Sequence, residues 1–421
     1  MINFIITAIK IIFLLGFLVL IHEGGHFLVA KLCKVRVNEF AIGWGPTLIK
    51  WQGKETKYAL RLLPIGGFVS MEGEEERSEK EGSFSKASIP KRLAIIVAGG
   101  LVNIVFGLLV YFILASTQGG YQTTVIDTVV PGYAAEQTGL QAGDEIIKIN
   151  GKKIRNEYDY QDIMENAGEE ELTLLIKRNG EEKELKVKPS KITYNSTGIY
   201  FGVAGEEITT EIVALYPGSS AEKAGIQVGD KILKVNGEDM HEDPYQVAEA
   251  IETLQTDKVI FTIERNNEIL DISLKPDIMV EYKLGVQFKT AENTFFNNVY
   301  YGFWNTKEFA VSMIDNIKLL FSGKVSTNQL MGPIGISEVV AQTSGIRDFV
   351  SMLALVSLSL GVTNLLPFPP LDGGRVVFLL IEWVRKKPLQ EKTELSIQMA
   401  GFMLLIGLSI YIAYQDILRI S

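Results

Sequence analysis

Long apolar stretches alternate with long polar ones along this chain of 421 residues. A helix rises about 1.5 Å per residue, so about 20 apolar residues cross the ~30 Å hydrocarbon core of a bilayer. Four stretches meet this length, and we expect transmembrane segments at residues 1–30, 93–115, 349–384 and 396–414. The pattern therefore predicts a polytopic α-helical membrane protein with four transmembrane segments.

The third apolar stretch is interrupted in its middle by Asn364, three prolines and Asp372. Proline cannot continue a helix without loss of a backbone hydrogen bond and a steric clash. Irregular backbone at membrane depth is tolerated where it lines a cavity or is buried in protein. We therefore expect this third segment to be discontinuous.

A cleaved signal peptide is the competing interpretation of the first apolar stretch. The stretch from Phe4 to Ala30 is longer than the 7–15 apolar residues that are typical of signal peptides, and it lacks an Ala-x-Ala-like cleavage site. His22, Glu23 and His26 also interrupt its end. These features favour a retained transmembrane helix.

The polar region between the second and third segments contains an internal repeat. Residues 131–144 match residues 217–230, and the similarity continues from 146–151 to 232–237. Each copy has the pattern of a strand, a short helix, a Gly-Asp turn, a second strand and an Asn-Gly turn. Two copies predict tandem α+β domains, which we place at 122–203 and 204–288.

These two domains resemble PDZ domains of the bacterial type. Each is expected to end in a Gly-Val strand, at Phe201-Gly202-Val203 and at Leu284-Gly285-Val286. The resemblance implies that this strand borders a groove in which an extended peptide, often a C-terminus, adds as a further strand. A spacer that only screens substrates by size is the alternative, and the sequence leaves both open.

The distribution of charge predicts the orientation in the membrane. Basic residues gather close to the membrane ends of two loops. They are Lys31, Lys34, Arg36, Lys91 and Arg92 in the first, and Arg385, Lys386, Lys387 and Lys392 in the second. By the positive-inside rule these loops are cytoplasmic. Both termini and the PDZ-like domains should then be extracytoplasmic in a bacterial inner membrane.

The net charge of −9 is uneven, because residues 120–290 carry 31 acids and 18 bases. An acidic middle between apolar ends is not the pattern of a nucleic-acid-binding protein. The expected surroundings are instead the lipid bilayer and other proteins.

The end of the first segment carries the sequence His22-Glu23-Gly24-Gly25-His26. Histidines four residues apart lie on one face of a helix and can both bind one Zn²⁺. A Glu directly after the first His can reach water at the metal as a general base. The chain has 3 histidines, and two of them occupy this apolar helix, where ionisable groups are costly. The alternative is a set of polar residues that simply face water at the helix end.

A catalytic zinc usually takes three protein ligands and keeps one position open. The remaining histidine, His241, lies in a polar stretch of the second repeat, so a buried carboxylate is the expected substitute. Asp372 is the only acid between Asp348 and Glu382. An ion pair between Asp372 and Arg375 is the other possibility that the residues allow.

Three features together resemble the site-2 protease family, specifically its bacterial regulators of sigma factors. They are His22-Glu23-x-x-His26, the stretch from Asn364 through Pro367 and Pro369 to Leu371-Asp372-Gly373, and the repeats between segments two and three. The resemblance covers essentially the whole chain. It implies Asp372 as the third zinc ligand, beside His22 and His26, and Asn364 as a residue that contacts substrate or stabilises the oxyanion.

The same resemblance assigns the two connecting regions. Residues 31–92 should form a cytoplasmic loop with a membrane-re-entrant β region, whose residues Gly66, Gly67 and Phe68 could contact substrate. Residues 289–348, rich in aromatic side chains over 295–321, should form an amphipathic linker at the membrane interface.

The expected activity is hydrolysis of peptide bonds in transmembrane segments by a zinc metalloendopeptidase with Glu23 as the catalytic base. By resemblance, the substrates are single-span proteins such as anti-sigma factors or remnant signal peptides. Two alternatives belong to other classes. The chain could be a non-catalytic PDZ scaffold, or a metal transporter in which His22, His26 and Asp372 are transit ligands.

Overall fold

The computed structural model describes residues 2–74, 76, 78–204, 207–216, 218–241, 243–254, 257–321, 332–343 and 345–420. Two compact units divide the chain, one formed by Met1–Thr117 with Asn305–Ser421 and the other by Gln118–Trp304. The elements of the first unit are α1 (Ile2–Leu32), β1 (Val37–Gln52), β2 (Lys57–Met71), a 3-10 turn (Phe84–Lys86), α2 (Ile89–Ser116), α8 (Pro333–Gln342), α9 (Ile346–Asn364), α10 (Asp372–Arg385) and α11 (Glu391–Ile420). A helix α7 (Phe295–Phe321) continues from the second unit into the first.

Four helices of the described residues are long and apolar enough to cross a membrane. They are Ile5–Leu32, Ile89–Ser116, Ile346–Asn364 and Glu391–Ile417, with mean hydropathies of 2.5, 2.6, 1.5 and 1.9. Many of their outward side chains are exposed apolar residues, such as Ile9, Val105 and Met403. The four apolar segments that the sequence predicts are therefore present as helices.

Glycines allow α1, α2 and α9 to pack closely. A Cβ on Gly25 would lie 2.7 Å from the carbonyl oxygen of Ala98, and a Cβ on Gly361 would lie 2.6 Å from that of Gly100. Small residues at such crossings let helix backbones approach in membranes. Of the two glycines inside the histidine motif, Gly25 has this packing role, whereas a Cβ on Gly24 would meet nothing within 4 Å.

The third segment is broken, as its prolines predict. Helix α9 ends at Asn364, and α10 begins at Asp372 after an irregular stretch. The start of α10 rests on that stretch, because a Cβ on Gly373 would lie 2.2 Å from the Leu366 oxygen, and one on Gly374 would lie 2.7 Å from the Pro369 nitrogen. The two glycines after Asp372 thus permit the close approach that orients this residue.

The strands β1 and β2 are bent, and each half takes its own partner. Phe40 lies opposite both Tyr58 and Val69, while Lys50 lies opposite Ala59. The four halves form one antiparallel sheet in the order 47–52, 57–61, 37–42 and 67–71. Segment 67–71, which we call the edge segment, is paired on one side only among the described residues. The sheet exposes large apolar side chains, at Trp44, Leu48, Ile49, Trp51, Leu62 and Leu63.

The second unit contains two α+β lobes, and its strands and helices are β3 (Gln122–Val129), α3 (Ala134–Gln137), β4 (Glu145–Ile149), β5 (Lys152–Lys153), α4 (Glu157–Glu165), β6 (Leu172–Arg178), β7 (Glu181–Val187), β8 (Ser190–Ser196), β9 (Ile199–Ala204), β10 (Glu207–Leu215), α5 (Ser220–Lys223), β11 (Lys231–Val235), β12 (Glu238–Asp239), α6 (Pro244–Glu252), β13 (Val259–Arg265), β14 (Glu268–Leu274), β15 (Asp277–Lys283) and β16 (Val286–Thr290). The first lobe has the sheet order β16-β3-β4-β6-β7, and the second has β14-β13-β11-β10-β9. Strands β8 and β15 pair with each other as a two-stranded ribbon between them.

The predicted boundary between residues 203 and 204 is wrong. Strand β9, expected to complete the first lobe, pairs with β10 of the second, and β16, expected in the second, pairs with β3 of the first. The packing of side chains agrees with this strand pairing. Leu284 belongs to the core of the first lobe, and Ile199 and Phe201 pack against the core of the second lobe. The second lobe is thus inserted into the first, and the chain enters and leaves it through the ribbon.

Backbone hydrogen bonds show that the two Gly-Val strands predicted to be equivalent in the two lobes are not equivalent. Gly285 accepts from the Val130 amide at 2.8 Å, and Gly198 accepts from the Tyr216 amide at 2.7 Å. Gly285 and Gly198 also share a positive φ, at 79° and 73°. The counterpart of Leu284-Gly285-Val286 is therefore residues 197–199 rather than Phe201-Gly202-Val203.

A buried ion pair recurs in both lobes and supports their common origin. Asp144 receives two hydrogen bonds from Arg178, each 2.7 Å long, and Asp230 receives two from Arg265, each 2.6 Å long. Both carboxylates are 1% exposed. Arg178 holds the pKa of Asp144 below its usual range, against the opposing effect of burial. Each pair closes the Gly-Asp turn that the repeat predicts.

Candidate metal centre and active site

Two histidines of α1 and the first residue of α10 converge on one point. Asp372 Oδ2 lies 3.3 Å from His22 Nε2 and 3.3 Å from His26 Nε2. The two Nε2 atoms are themselves 3.3 Å apart. Within the described residues, this is the one group of three His, Cys, Asp or Glu side chains spaced to hold a metal ion. Helical periodicity places the histidines together, and the break in the third segment places Asp372 beside them.

The dimensions of this triangle fit zinc. Ligand atoms at about 2.0–2.1 Å from a tetrahedral zinc lie about 3.3–3.4 Å from one another. The three measured separations match one face of such a tetrahedron. Asp372 Oδ2 is also buried without a hydrogen-bond donor in the described part of the chain, so a cation is the partner that this oxygen lacks. Two imidazoles and one carboxylate are a donor set that catalytic zinc uses.

The outer nitrogens of both imidazoles have polar neighbours. His26 Nδ1 lies 2.8 Å from the Ile95 carbonyl oxygen, which can only accept, so Nδ1 carries the proton and Nε2 is free to bind a metal. His22 Nδ1 lies 3.4 Å from the Asn103 side-chain amide. The amide rotamer that turns Oδ1 towards His22 accepts its Nδ1–H and satisfies the buried Oδ1, which otherwise has no partner in the described residues.

Two residues of α2 are part of this site although the sequence analysis did not assign them to it. Asn103 is fully buried, and its side chain is the one strongly polar group of the second apolar stretch, which was a usable signal. Gly99 has no comparable signal. A Cβ on Gly99 would lie 2.3 Å from His26 Nε2 and 2.9 Å from His22 Nε2. This glycine therefore leaves open the space beside the two Nε2 atoms.

The predicted base Glu23 lies next to the edge segment. A Cβ on Gly67 would lie 3.1 Å from Glu23 Cγ and 3.0 Å from Val19 Cγ1. The absence of a side chain at Gly67 thus lets the sheet approach the helix that carries the histidines.

The structure also places the other residues that the sequence predicts to contact substrate. Gly66, with φ of 78°, lies against the Trp44 indole, and Phe68 packs under the Arg61 guanidinium at 4.9 Å. Asn364 is half-buried at the last turn of α9, before the chain turns towards Asp372. Their roles in substrate binding stay predictions.

Two alternatives for the ionisable groups can be compared with the geometry. Arg375 donates to Glu74 Oε1 rather than pairing with Asp372, which faces the histidines. His241 is 77% exposed in the second lobe and lies 3.5 Å from Asp239. The structure therefore does not show the Asp372–Arg375 pair that the sequence left open.

Comparison with known proteins identifies the family of the chain. A family model described as peptidase family M50 matches residues 10–408. The regulator of sigma-E protease RseP of Escherichia coli is 28% identical, covering 100% of both chains. A Vibrio cholerae protein named "Putative zinc metalloprotease" is 30% identical over 98% of each chain.

Among solved structures, a crystal structure of the HtrA3 PDZ domain bound to a phage-derived ligand matches 22% of this chain and 93% of its own, with 24% identity and a TM-score of 0.19. The family match extends over nearly the entire chain and includes the histidine motif, the repeats and Asp372. The chain therefore belongs to peptidase family M50, and it is a zinc metalloendopeptidase of that family.

Proposed function

We propose that this peptidase cleaves the membrane-spanning segments of single-span proteins, with His22, His26 and Asp372 as zinc ligands and Glu23 as the catalytic acid–base. The observation that carries the proposal is the ligand triangle with 3.3 Å edges, held on helices apolar enough to span a membrane. An ionisable cluster at membrane depth is costly, so its presence indicates a function.

When bound, zinc supplies Lewis acidity that polarises a carbonyl and lowers the pKa of water towards about 7. Glu23 follows His22 directly and takes the proton of the attacking water, then delivers it to the leaving amine as the C–N bond breaks. Asn364, at the end of α9, is the candidate for a hydrogen bond to the oxyanion or to the substrate backbone.

The edge segment offers a way to present a helical substrate. A scissile carbonyl in a helix is hidden in backbone hydrogen bonds, so the substrate must unwind locally. Pairing of the unwound stretch with residues 67–71 replaces those hydrogen bonds and offsets part of the cost. The close approach of Gly67 to Glu23, where even a Cβ would crowd Glu23 Cγ, brings this pairing surface to the catalytic base.

The distribution of charge supports an orientation in the membrane, and the sheet topology is compatible with two roles for the lobes. The basic loops between segments one and two, and between three and four, are cytoplasmic in this proposal, and the termini and lobes are extracytoplasmic. Strands β9 and β16 each lie at the end of a sheet in the described residues, as peptide addition requires. Capture of peptide C-termini and screening by size both fit this arrangement.

Two relatives carry the names "Regulator of sigma E protease" and "Regulator of sigma-E protease RseP", and these names point to anti-sigma factors as substrates. Remnant signal peptides have the same single-span form. Regulated intramembrane proteolysis in a bacterial inner membrane is the process that joins these features.

Replacement of Glu23 by Gln tests the proposal. The purified full chain, reconstituted in liposomes, is mixed with a single-span substrate, and the products are separated by mass. We expect Glu23→Gln to bind zinc with unchanged stoichiometry and to lose at least about 100-fold of the cleavage rate. Equal cleavage by both proteins would refute the proposal. Zinc flux into the liposomes without proteolysis would favour a transporter instead.

A further inference from the structure

The Glu74 side chain contacts both the end of β2 and helix α10. This residue follows β2 by three positions, and its side chain is 13% exposed. One carboxylate oxygen, Oε1, accepts from Arg375 Nη1 at 2.5 Å. The other, Oε2, accepts from the backbone amide of Met71 at 3.3 Å. A single carboxylate is thus shared between a strand and a helix.

One partner of Glu74 belongs to the proposed substrate-binding segment, and the other belongs to the helix of the proposed metal ligand. Met71 is the last residue of the edge segment, which we propose receives the substrate strand. Arg375 lies three residues after Asp372, so both are on nearly the same face of α10. Glu74 therefore links the end of the edge segment to the helix that carries the proposed metal ligand.

Apolar packing alone does not fix this relation. Val69 and Met71 pack in one core with Ile95 of α2 and with Val376 and Leu379 of α10. Such contacts are nondirectional and tolerate sliding, whereas a charge-assisted hydrogen bond has a narrow range of distance and angle. The Glu74–Arg375 pair therefore adds a directional interaction between the end of β2 and α10, where the core supplies only apolar packing.

We infer that Glu74 is a positioning residue of this protease. Through Arg375, it fixes the position of the edge segment relative to α10, the helix that begins at Asp372. The inference rests on the proposed function, because it assigns the edge segment to substrate and Asp372 to zinc. Partners that orient metal ligands from outside the coordination shell change metal affinity or activity by about 10–100-fold when they are removed.

A double-mutant cycle tests the link in the full chain in detergent. The variants are Glu74→Gln, Arg375→Gln and the double variant, and the readout is the rate at which a chelator removes zinc. We expect about tenfold faster zinc release from each single variant. Because the two residues act through one contact, the double variant should be within about twofold of either single one.

The matched control is Glu79→Gln, which breaks an ion pair with Lys86 in the same loop, where the Glu79 side chain is 96% exposed. Zinc release from this variant should equal that of the wild type. KM for a single-span substrate should rise in Glu74→Gln but not in Glu79→Gln, which separates positioning from a general loss of stability.

Zinc release from Glu74→Gln equal to that of the control, or effects that multiply in the double variant, would overturn the inference. If Glu74→Gln does not accumulate as folded protein, Arg375→Lys replaces it, since lysine keeps the cation and we expect about threefold faster release. Zinc release is measured without proteolysis, so failure of the link is distinguishable from failure of the proposed function, which Glu23→Gln decides.

Discussion

Replacement of Gly99 by alanine should strongly weaken zinc binding while the fold remains. The added Cβ would lie 2.3 Å from His26 Nε2, and 2.8 Å and 2.9 Å from His22 Cε1 and Nε2. An ordinary contact of this kind is about 3.4 Å or more. The distance is also close to a Zn–N bond of about 2.0–2.1 Å, so the methyl group and a metal ion compete for room beside the same nitrogen.

The magnitude follows from the displacement that the methyl group requires. Relief of the contact needs a shift of about 1 Å in the His26 ring, which widens the 3.3 Å separations to the other two ligand atoms. Metal sites tolerate deviations of about 0.2 Å in ligand distance. We expect a loss of at least about 100-fold in zinc affinity, which corresponds to about 2.7 kcal/mol.

The assay is competition between the purified full chain and a fluorescent zinc chelator, with bound zinc also measured by elemental analysis. Gly24→Ala is the matched control, because it adds a methyl group within the histidine motif itself, at a position where nothing lies within 4 Å. Gly24→Ala should keep one zinc per chain. Zinc affinity of Gly99→Ala within about threefold of the wild type would refute the geometric argument.

Three further predictions concern the support of the site and of the lobes. Asn103→Ala should speed zinc release by about 10–100-fold, because it removes the neighbour of an outer histidine nitrogen; unchanged release by the chelator assay would contradict this. Gly373→Ala places a Cβ 2.2 Å from the Leu366 oxygen, so we expect a loss of about 2 kcal/mol or more in the free energy of unfolding, measured by denaturant titration in detergent. The pKa of Asp144 is lowered in the folded state, so its contribution to stability is present above pH ~4 and is lost as the pH falls further. Arg178→Met should remove this part of the acid dependence of thermal unfolding, and an unchanged pH profile would show that the pair does not contribute.

Local patterns carried much of the prediction. The spacing of His22 and His26 needs only the period of one helix, and the lengths of the apolar stretches need only the thickness of a bilayer. The prolines after Asn364 predict a break because they act on their own backbone. Each of these inferences depends on residues close together in the chain, and the structure shows the corresponding elements.

Other features could be determined only from the tertiary structure, because they depend on which strands pair and which helix faces pack together. The repeats carry alike patterns, so local sequence does not tell whether β9 or β16 completes a given sheet, and the ribbon of β8 and β15 decides it. A helix pattern does not set its rotation against a neighbour either, so the placement of Gly99 against the histidines was not foreseeable.

The candidate metal centre itself divides in the same way. Sequence alone determined that two histidines and a glutamate lie on one apolar helix, since helical periodicity is a local property. Only the packed structure brought Asp372 to 3.3 Å from both imidazoles, placed Asn103 behind His22, and joined the edge segment to α10 through Glu74. Those contacts join residues far apart in the chain, and their geometry is set by the close packing of glycine-lined helices, which no local pattern encodes.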